Sequence, residues 1–284
     1  MRPYFCYFEY MSVVGAVHFS YLCAAMISPA ETDDARTQGL EPPTARAASV
    51  LAPALYLIPV PLSDGPVEGV LPARNIEIVK EIRHFIVENI RSARRFLKRC
   101  CRDIDIDSLE FVELSEHTDA AAVAPMLDPL RRGYAMGVIS EAGCPAVADP
   151  GADAVAVAQR EGLRVVPLVG PSSILMALMA SGMNGQSFAF HGYLPIDASA
   201  RTRTLHKLAQ SVQRDKQTQI FIETPYRNDR LIATLVQTLP AHMRLCVAAD
   251  ISGASESIIT DTLAGWRRRK YCYNKIPTIF LLFE

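Results

Sequence analysis

The stretch from 133 to 173, GYAMGVISEAGCPAVADPGADAVAVAQREGLRVVPLVGPSS, constrains this chain more than any other. Residues 136–139 form a short apolar run that stops abruptly in Ser140-Glu141-Ala142-Gly143-Cys144-Pro145, which reads as a buried strand entering a loop. Asp149-Pro150-Gly151 punctuates a second time. Residues 152–161 then have helical composition, Gly162 is placed as a C-cap, and 163–169 is a second apolar, β-branched run. The unit is therefore strand, loop, helix, strand. Open α/β sheets bind ligands at the carboxyl ends of their strands, so the loop after Ile139 is the first place to expect a cofactor.

A length of 284 residues suits two domains or one large one with an extension, and 50% hydrophobic content is ample for a core. The formal net charge of −1 supplies no global basic field, so a polyanionic substrate would have to be met by a local patch. Two candidate patches exist: Arg91, Arg94, Arg95, Lys98, Arg99 and Arg102 in one short segment, and the RRRK run at 267–270. Each is equally readable as a solvated helix face. The seven cysteines are odd in number and contain no CxxC, and the six histidines supply no HxxxH or HExxH. A zinc site or a disulfide framework is not expected, and the usage fits a reducing cytosol. Cys144 reads as a small residue tolerated at a tight turn rather than a reactive thiol, because no His or Lys adjoins it.

Residues 1–52 differ in character from the rest. Between Glu9 and Glu31 lie 21 residues with no Asp, Glu, Lys or Arg, nearly enough to cross a bilayer, but Gly15, His18, Pro29 and three serines dilute the run. Three readings stay open: an extension outside the functional fold, arising from a start codon set too far upstream; a helix docked on the protein; and a signal or anchor. Residues 31–54, rich in Pro, Ala, Thr and Arg, read as a disordered linker.

The fold is expected to begin at Leu55. Residues 55–62 form an apolar strand that two prolines end near Ile58, and Ser63-Asp64-Gly65-Pro66 is a turn. Helices are expected over 75–82, 92–102 (basic, with Phe96 and Leu97 facing inward) and 120–132. Strands are expected over 84–87, which carries Glu88 to the sheet's edge, and 110–114. With the opening unit this gives βαβαβαβαβ, a doubly wound, mainly parallel sheet in a domain spanning 53–171. A second α/β domain, 172–284, is expected to hold helices at 174–181, 201–213 and 228–239, and strands at 188–193, from 219, at 245–249, 256–262 and 276–283. Ser172 or Ser173 caps the first of these helices.

The loop after Ile139 is neither GxGxxG nor GxxxxGK[ST], so no dinucleotide fingerprint or P-loop is present. Gly143, Pro145 and Gly151 still let backbone groups approach a ligand closely, as an adenosine moiety with an amino-acid tail would require. Five stretches then carry a resemblance: LYLIPVPL at 55–62, HFIVENIRSARRFLK at 84–98, ISEAGCPAVADPG at 139–151, VVPLVGPSS at 165–173 and IFIETPYR at 220–227. In this order and spacing they resemble the tetrapyrrole methylase superfamily of S-adenosylmethionine-dependent methyltransferases, within it the ribosomal-RNA ribose 2′-O-methyltransferase branch.

The resemblance implies a two-domain tetrapyrrole-methylase-like fold, the second domain with a mixed sheet, and S-adenosylmethionine held between the domains. Pro59 and Pro61 would lie beneath the cofactor. Gly143, Cys144, Pro145, Val147 and Ala148 would wrap its methionine and ribose parts, with Ser172 and Ser173 at the interdomain stretch and Met183 and Pro277 closing over the adenine. It further implies an RNA substrate, a homodimer, no metal, a cytoplasmic location and no membrane association. Glu88, Arg91, Glu223, Tyr226 and Arg227 are the candidate polar groups near the chemistry. The chain has Glu88-Asn89-Ile90-Arg91 where the branch has Glu-Asp-Thr-Arg, Tyr226 where it has His, and Ala249-Asp250-Ile251-Ser252 where it has Glu-Leu-Thr-Lys. These departures bear on the acceptor more than on the cofactor. Methylation of RNA, methylation of a tetrapyrrole or other small acceptor, and cofactor binding without turnover all stay open at this point.

Overall fold

The computed structural model describes residues 51–115 and 117–284, and Ser49–Glu284 form one compact unit. The readings placed on 1–50, including the uncharged run, lie outside the described residues. Among the described residues no helix is long and apolar enough to cross a membrane.

Two five-stranded sheets carry the chain. The first contains β1 (Leu55–Ile58), β2 (His84–Val87), β3 (Glu110–Glu113), β4 (Met136–Ile139) and β5 (Val165–Pro167) in the order β3-β2-β4-β1-β5, every neighbouring pair parallel. The second contains β6 (Phe188–Tyr193), β7 (Thr218–Ile222), β8 (Arg244–Ala249), β9 (Ser257–Thr262) and β10 (Thr278–Phe283) in the order β6-β7-β10-β8-β9. It is mixed: β6 pairs with β7 in parallel, and the remaining pairs are antiparallel.

A parallel sheet needs helices on both faces, and side-chain alternation along its strands sends one set of residues to each. Phe85 and Val87 of β2 join Ile58, Ile139, Phe96 and Leu97 under α1 (Ala73–Glu81) and α2 (Ile90–Cys100). Ile86, with Leu55, Met136 and Val138, packs on the other face against Val123, Leu127 and Ala154 from α3 (Ala120–Met126), the α3–α4 junction and α5 (Ala152–Arg160), with Leu130 of α4 (Asp128–Arg131) completing the layer. The second sheet is sandwiched likewise. α7 (Ala198–Asp215), α8 (Asn228–Thr238) and α9 (Leu263–Arg268) cover one face around the fully buried Trp266, and α6 (Ser173–Ser181) covers the other with Ala177 and Leu178.

Local chemistry explains where elements depart from the sequence expectation. The helix expected over 120–132 breaks at Leu127, because Pro129 has no N–H to donate and its ring crowds the carbonyl four residues earlier. β5 is three residues rather than seven, since as an edge strand it pairs only with β1, and its third residue is Pro167. α7 starts at Ala198, three residues early, because the Asp197 carboxylate accepts the Ala200 amide at 2.8 Å. α9, not anticipated, is nucleated by Thr262, whose hydroxyl accepts the Gly265 amide at 3.0 Å.

Candidate functional site

In the first sheet, chain direction reverses around the adjacent strands β1 and β4: β1 is followed by β2 on the far side of β4, and β4 by β5 on the far side of β1. Such a switch point leaves a crevice at the carboxyl ends of the two strands. The loops leaving them are fastened to each other there. Val60 N–H donates to Gly143 O at 2.8 Å, and Gly143 N–H donates back to Val60 O at 2.9 Å. Gly143 has φ of +74°, and a Cβ on it would stand 3.3 Å from Leu62 Cδ2. The loop after β5 joins them, since Cys144 Sγ donates to Pro171 O at 3.4 Å and Gly170 lies so close to Pro59 that an added Cβ would be 2.2 Å from the ring.

The loop between β4 and α5 is held in an unusual shape. Besides Gly143 and Gly151, Ala146 and Ala148 adopt φ of +66° and +64°. Left-handed backbone at residues with a Cβ costs on the order of 1 kcal/mol each and persists where surrounding structure enforces it, often at ligand clamps. The result is a ledge that presents backbone to the second sheet.

Opposite this ledge the carboxyl-terminal half supplies a roof, and the two enclose a cavity of 330 Å³. Gly143, Cys144, Val147, Ala148 and Asp149 line the ledge side, Ser172, Ser173 and Ile174 the turn into α6, and Phe190, Tyr193, Ile222, Glu223, Ala248, Asp250, Ile251, Pro277, Thr278 and Ile279 the roof. The volume and the mostly apolar walls with few polar groups suit a small organic ligand. A broader groove of 770 Å³ adjoins it, sharing Leu62, Ala142, Asp250 and Pro277 and extending along Pro61, Ser63, Ser92, Arg95, Phe96 and Arg99. The two halves touch across this groove, where Ser63 Oγ donates to Ser252 O at 2.9 Å.

Electrostatics distinguish two kinds of acid here. Asp149 has its carboxyl raised above the ordinary range, first by burial, with Ser140 opposing and Glu141 adding to the shift. Burial, and then Asp149, also raise the Cys144 thiol, so this cysteine is a neutral S–H donor rather than a thiolate. Glu223 is different: its side chain is 1% exposed and held by cations. Its Oε1 accepts from Arg227 Nη2 at 2.7 Å, Arg227 Nε at 3.1 Å and the Thr224 amide at 2.7 Å, while Oε2 faces the buried Arg201 at 3.7 Å.

Gly143, Cys144, Val147, Ala148, Ser172, Ser173, Pro277 and Glu223 thus converge on one cavity. Pro61 lines the adjoining groove instead. Pro59 is buried behind Gly170, Pro145 is buried within its loop, and Met183 packs against the α6 core. Tyr226 points out, 75% exposed, and Arg227 braces Glu223. Glu88 Oε2 accepts the Glu141 amide at 3.1 Å, so Glu88 shapes the ledge, while Arg91 is exposed on the first turn of α2. Sequence reasoning missed Asp149, Phe190, Tyr193, Asp250 and Thr278 as lining residues. Only Asp149 carried a signal, by standing inside the punctuated loop.

No protein-family model matches the chain. Among known proteins, it is 31% identical over 210 residues to the ribosomal RNA small subunit methyltransferase I of Halalkalibacterium halodurans, covering 74% of this chain and 68% of the relative. It is 30% identical over 213 residues to the protein of that name from Mesorhizobium japonicum, covering 75% and 68%. The chain belongs to the ribosomal RNA small subunit methyltransferase I family. It is a methyltransferase. The fold agrees: diphthine synthase superposes with a TM-score of 0.58 at 15% identity, covering 81% of this chain and 89% of that one, and the methyltransferase CobJ with 0.54 at 15%, covering 81% and 93%.

Two departures from the family pattern keep a structural role. Asn89 stands where the branch has Asp, yet caps α2 by accepting the Ser92 amide at 3.0 Å, which either residue can do. The segment beginning at Asp250 is closed by two carboxylates, Asp250 accepting the Ser255 amide at 2.8 Å and Glu256 the Ser252 amide at 2.7 Å.

Because the folded chain holds the Asp149 carboxyl above its ordinary value of 3.8, the ionised form opposes folding at neutral pH. The penalty is absent below 3.8, where folded and unfolded states are both protonated, and grows as pH rises through the folded value. Asp149→Asn is expected to raise Tm at pH 7, with the gain shrinking as pH falls toward the ordinary carboxylate range. Thermal melts across pH check this, and an unchanged Tm at pH 7 contradicts it.

Proposed function

We propose that this methyltransferase uses S-adenosylmethionine to methylate a ribose 2′-oxygen in small-subunit ribosomal RNA. The observation that carries the reading is the 330 Å³ cavity between a strained backbone ledge and an apolar roof, in a chain of this family. The names of its relatives supply the acceptor class.

The residues present fit the cofactor. Backbone at Cys144 and Ala148 offers close-approach hydrogen bonding to an amino-acid tail and ribose, while Gly143, paired to Val60, lacks a Cβ and so keeps Leu62 and Pro171 in place beside it. Ile222, Ala248, Ile251 and Ile279 give the apolar slot that an adenine ring prefers. Asp149 is the carboxyl on the ledge that a nearby cation would ionise, matching a positively charged ligand. When bound, S-adenosylmethionine supplies a methyl group already activated on a sulfonium. The chain's own residues then have to exclude water and align the acceptor oxygen in line with that methyl, which is where most of the rate advantage arises. Glu223 is held through Oε1 by Arg227 and the Thr224 amide, while its buried Oε2 has no hydrogen-bond partner among the described residues and faces Arg201 at 3.7 Å. The two halves act as domains, 53–171 carrying the ledge and 172–284 the roof.

The protein works in the cytoplasm as a homodimer in this proposal. α6 is apolar nearly all round, yet only one face reaches the core; Leu175 and Met179, one turn apart, are 51% and 83% exposed. A helix of this composition normally has both faces covered.

Two outcomes check these readings. Labelled S-adenosylmethionine with small-subunit RNA from a strain lacking the gene should place label on a single ribose, whereas label in a small-molecule fraction and none in RNA contradicts the acceptor. Met179→Glu should halve the mass seen by light scattering while cofactor binding persists; a wild-type chain already monomeric at micromolar concentration contradicts the dimer.

A further inference from the structure

The groove beside the cofactor cavity has a division of charge that the methyl-transfer reading does not by itself require. On one wall, Arg95 and Arg99 of α2 are exposed and separated by one helical turn, with Ser92 a further turn back and Phe96 buried between them as the floor. Asp64, Glu141 and Asp250 contribute carboxylates elsewhere on its lining, and Glu141 and Asp250 stand beside residues that also line the cavity. Neither arginine forms an ion pair among the described residues. Arg95 Nη2 donates only to the Ser92 hydroxyl at 3.3 Å, and Arg99 Nη2 donates to Gly65 O at 2.6 Å, which holds that side chain across the groove mouth. Lys98 and Arg94, the neighbouring cations, are turned to other tasks, Lys98 donating to the Ile104 carbonyl at 2.7 Å and Arg94 lying over the Phe111 ring.

Resting on the RNA reading above, we propose that Arg95 and Arg99 bind successive phosphates of one RNA strand and so set the acceptor ribose over the cofactor cavity. Side chains at i and i+4 on a helix have Cβ atoms roughly 5–6 Å apart, within reach of neighbouring phosphates of a single strand. Guanidinium forks suit phosphate oxygens in pairs. Glu141 and Asp250 repel phosphate from the cavity side, so the backbone is confined to α2 and the sugar and base are directed inward. A ribose can reach a cavity between the two halves only when its nucleotide is splayed out of the stack, so the substrate in this proposal is an unpaired stretch lying along the 770 Å³ groove. The basic run at 267–270 plays no part in this, because it lies with Trp266 on the face of the second sheet opposite α6.

The test is the salt dependence of binding to a short single-stranded RNA from the small subunit, followed by anisotropy with cofactor affinity as the check on folding. Each phosphate contact on a single strand contributes about 0.7 to the slope of log K against log salt. Arg95→Ala, whose side chain makes no hydrogen bond beyond that to Ser92 among the described residues, should lower the slope by about 0.7 and raise KM for RNA roughly tenfold while kcat and cofactor affinity stay near wild type. The double variant with Arg99→Ala should lower the slope by about 1.4. Arg268→Ala with Lys270→Ala removes as much charge and should leave slope and KM unchanged. A wild-type slope for Arg95→Ala, or an equal fall for the Arg268/Lys270 pair, overturns the proposal. Wild-type protein that binds cofactor but shows no salt-dependent RNA binding overturns the RNA reading itself.

Discussion

The paired backbone hydrogen bonds between Val60 and Gly143 are what make a site out of two loops. A parallel sheet brings the carboxyl ends of β1 and β4 side by side, but nothing in that geometry prevents the loops beyond from splaying into solvent. The two-way bond fastens them, and it requires a residue at 143 without a Cβ, since φ is positive and Leu62 is already in contact range. Cys144 then reaches the Pro171 carbonyl, which ties in the third loop just before the chain crosses to the second sheet. With those fixed, the left-handed Ala146 and Ala148 are enforced, and the ledge faces the roof in one shape rather than many.

The roof is stabilised by a different physics. Its strands are apolar on both faces, with Phe221 and Phe280 stacked and Trp266 donating its indole N–H to Leu245 O at 2.8 Å. A charged group at its rim, Glu223, is held at Oε1 by Arg227 and the Thr224 amide, with Arg201 3.7 Å from Oε2 adding charge but no hydrogen bond. Removing one partner of such a buried set typically costs about 3–5 kcal/mol, while the paired set itself adds little net stability. Its contribution is to fix where the strand from β7 turns over the cavity, which is a matter of position.

Much of this was legible in the residues. The strand–loop–helix–strand unit and the basic helix with Phe96 and Leu97 inward follow from apolar runs, caps and Gly-Pro punctuation, which are local, whereas the mixed second sheet was implied by the family resemblance and not by the residues alone. The loop after β4 announced itself because Gly143 and Gly151 permit backbone shapes that other residues resist, while Pro145 fixes its own. What stayed hidden depends on contacts distant in sequence. Nothing about Ala146 or Ala148 marks them as left-handed; tertiary enforcement does that. Phe190, Tyr193 and Thr278 are ordinary strand residues until the second sheet sets them above the ledge. Glu223, Tyr226 and Arg227 lie within five residues, yet one is buried facing Arg201 of α7, one is exposed and one is a brace, a division set by contacts distant in sequence. α9 was missed for a lesser reason: its Thr262 cap was readable, but six residues are too few for a periodic pattern to show.

The account rests on the ledge and roof together forming the cofactor's seat. A crystal structure of the protein soaked with S-adenosylhomocysteine tests this most directly. The account predicts density in the cavity, with the amino-acid tail against the Gly143–Asp149 backbone and the adenine between Ile222, Ala248 and Ile279. Density elsewhere on the protein, with this cavity empty at a saturating concentration, would contradict it.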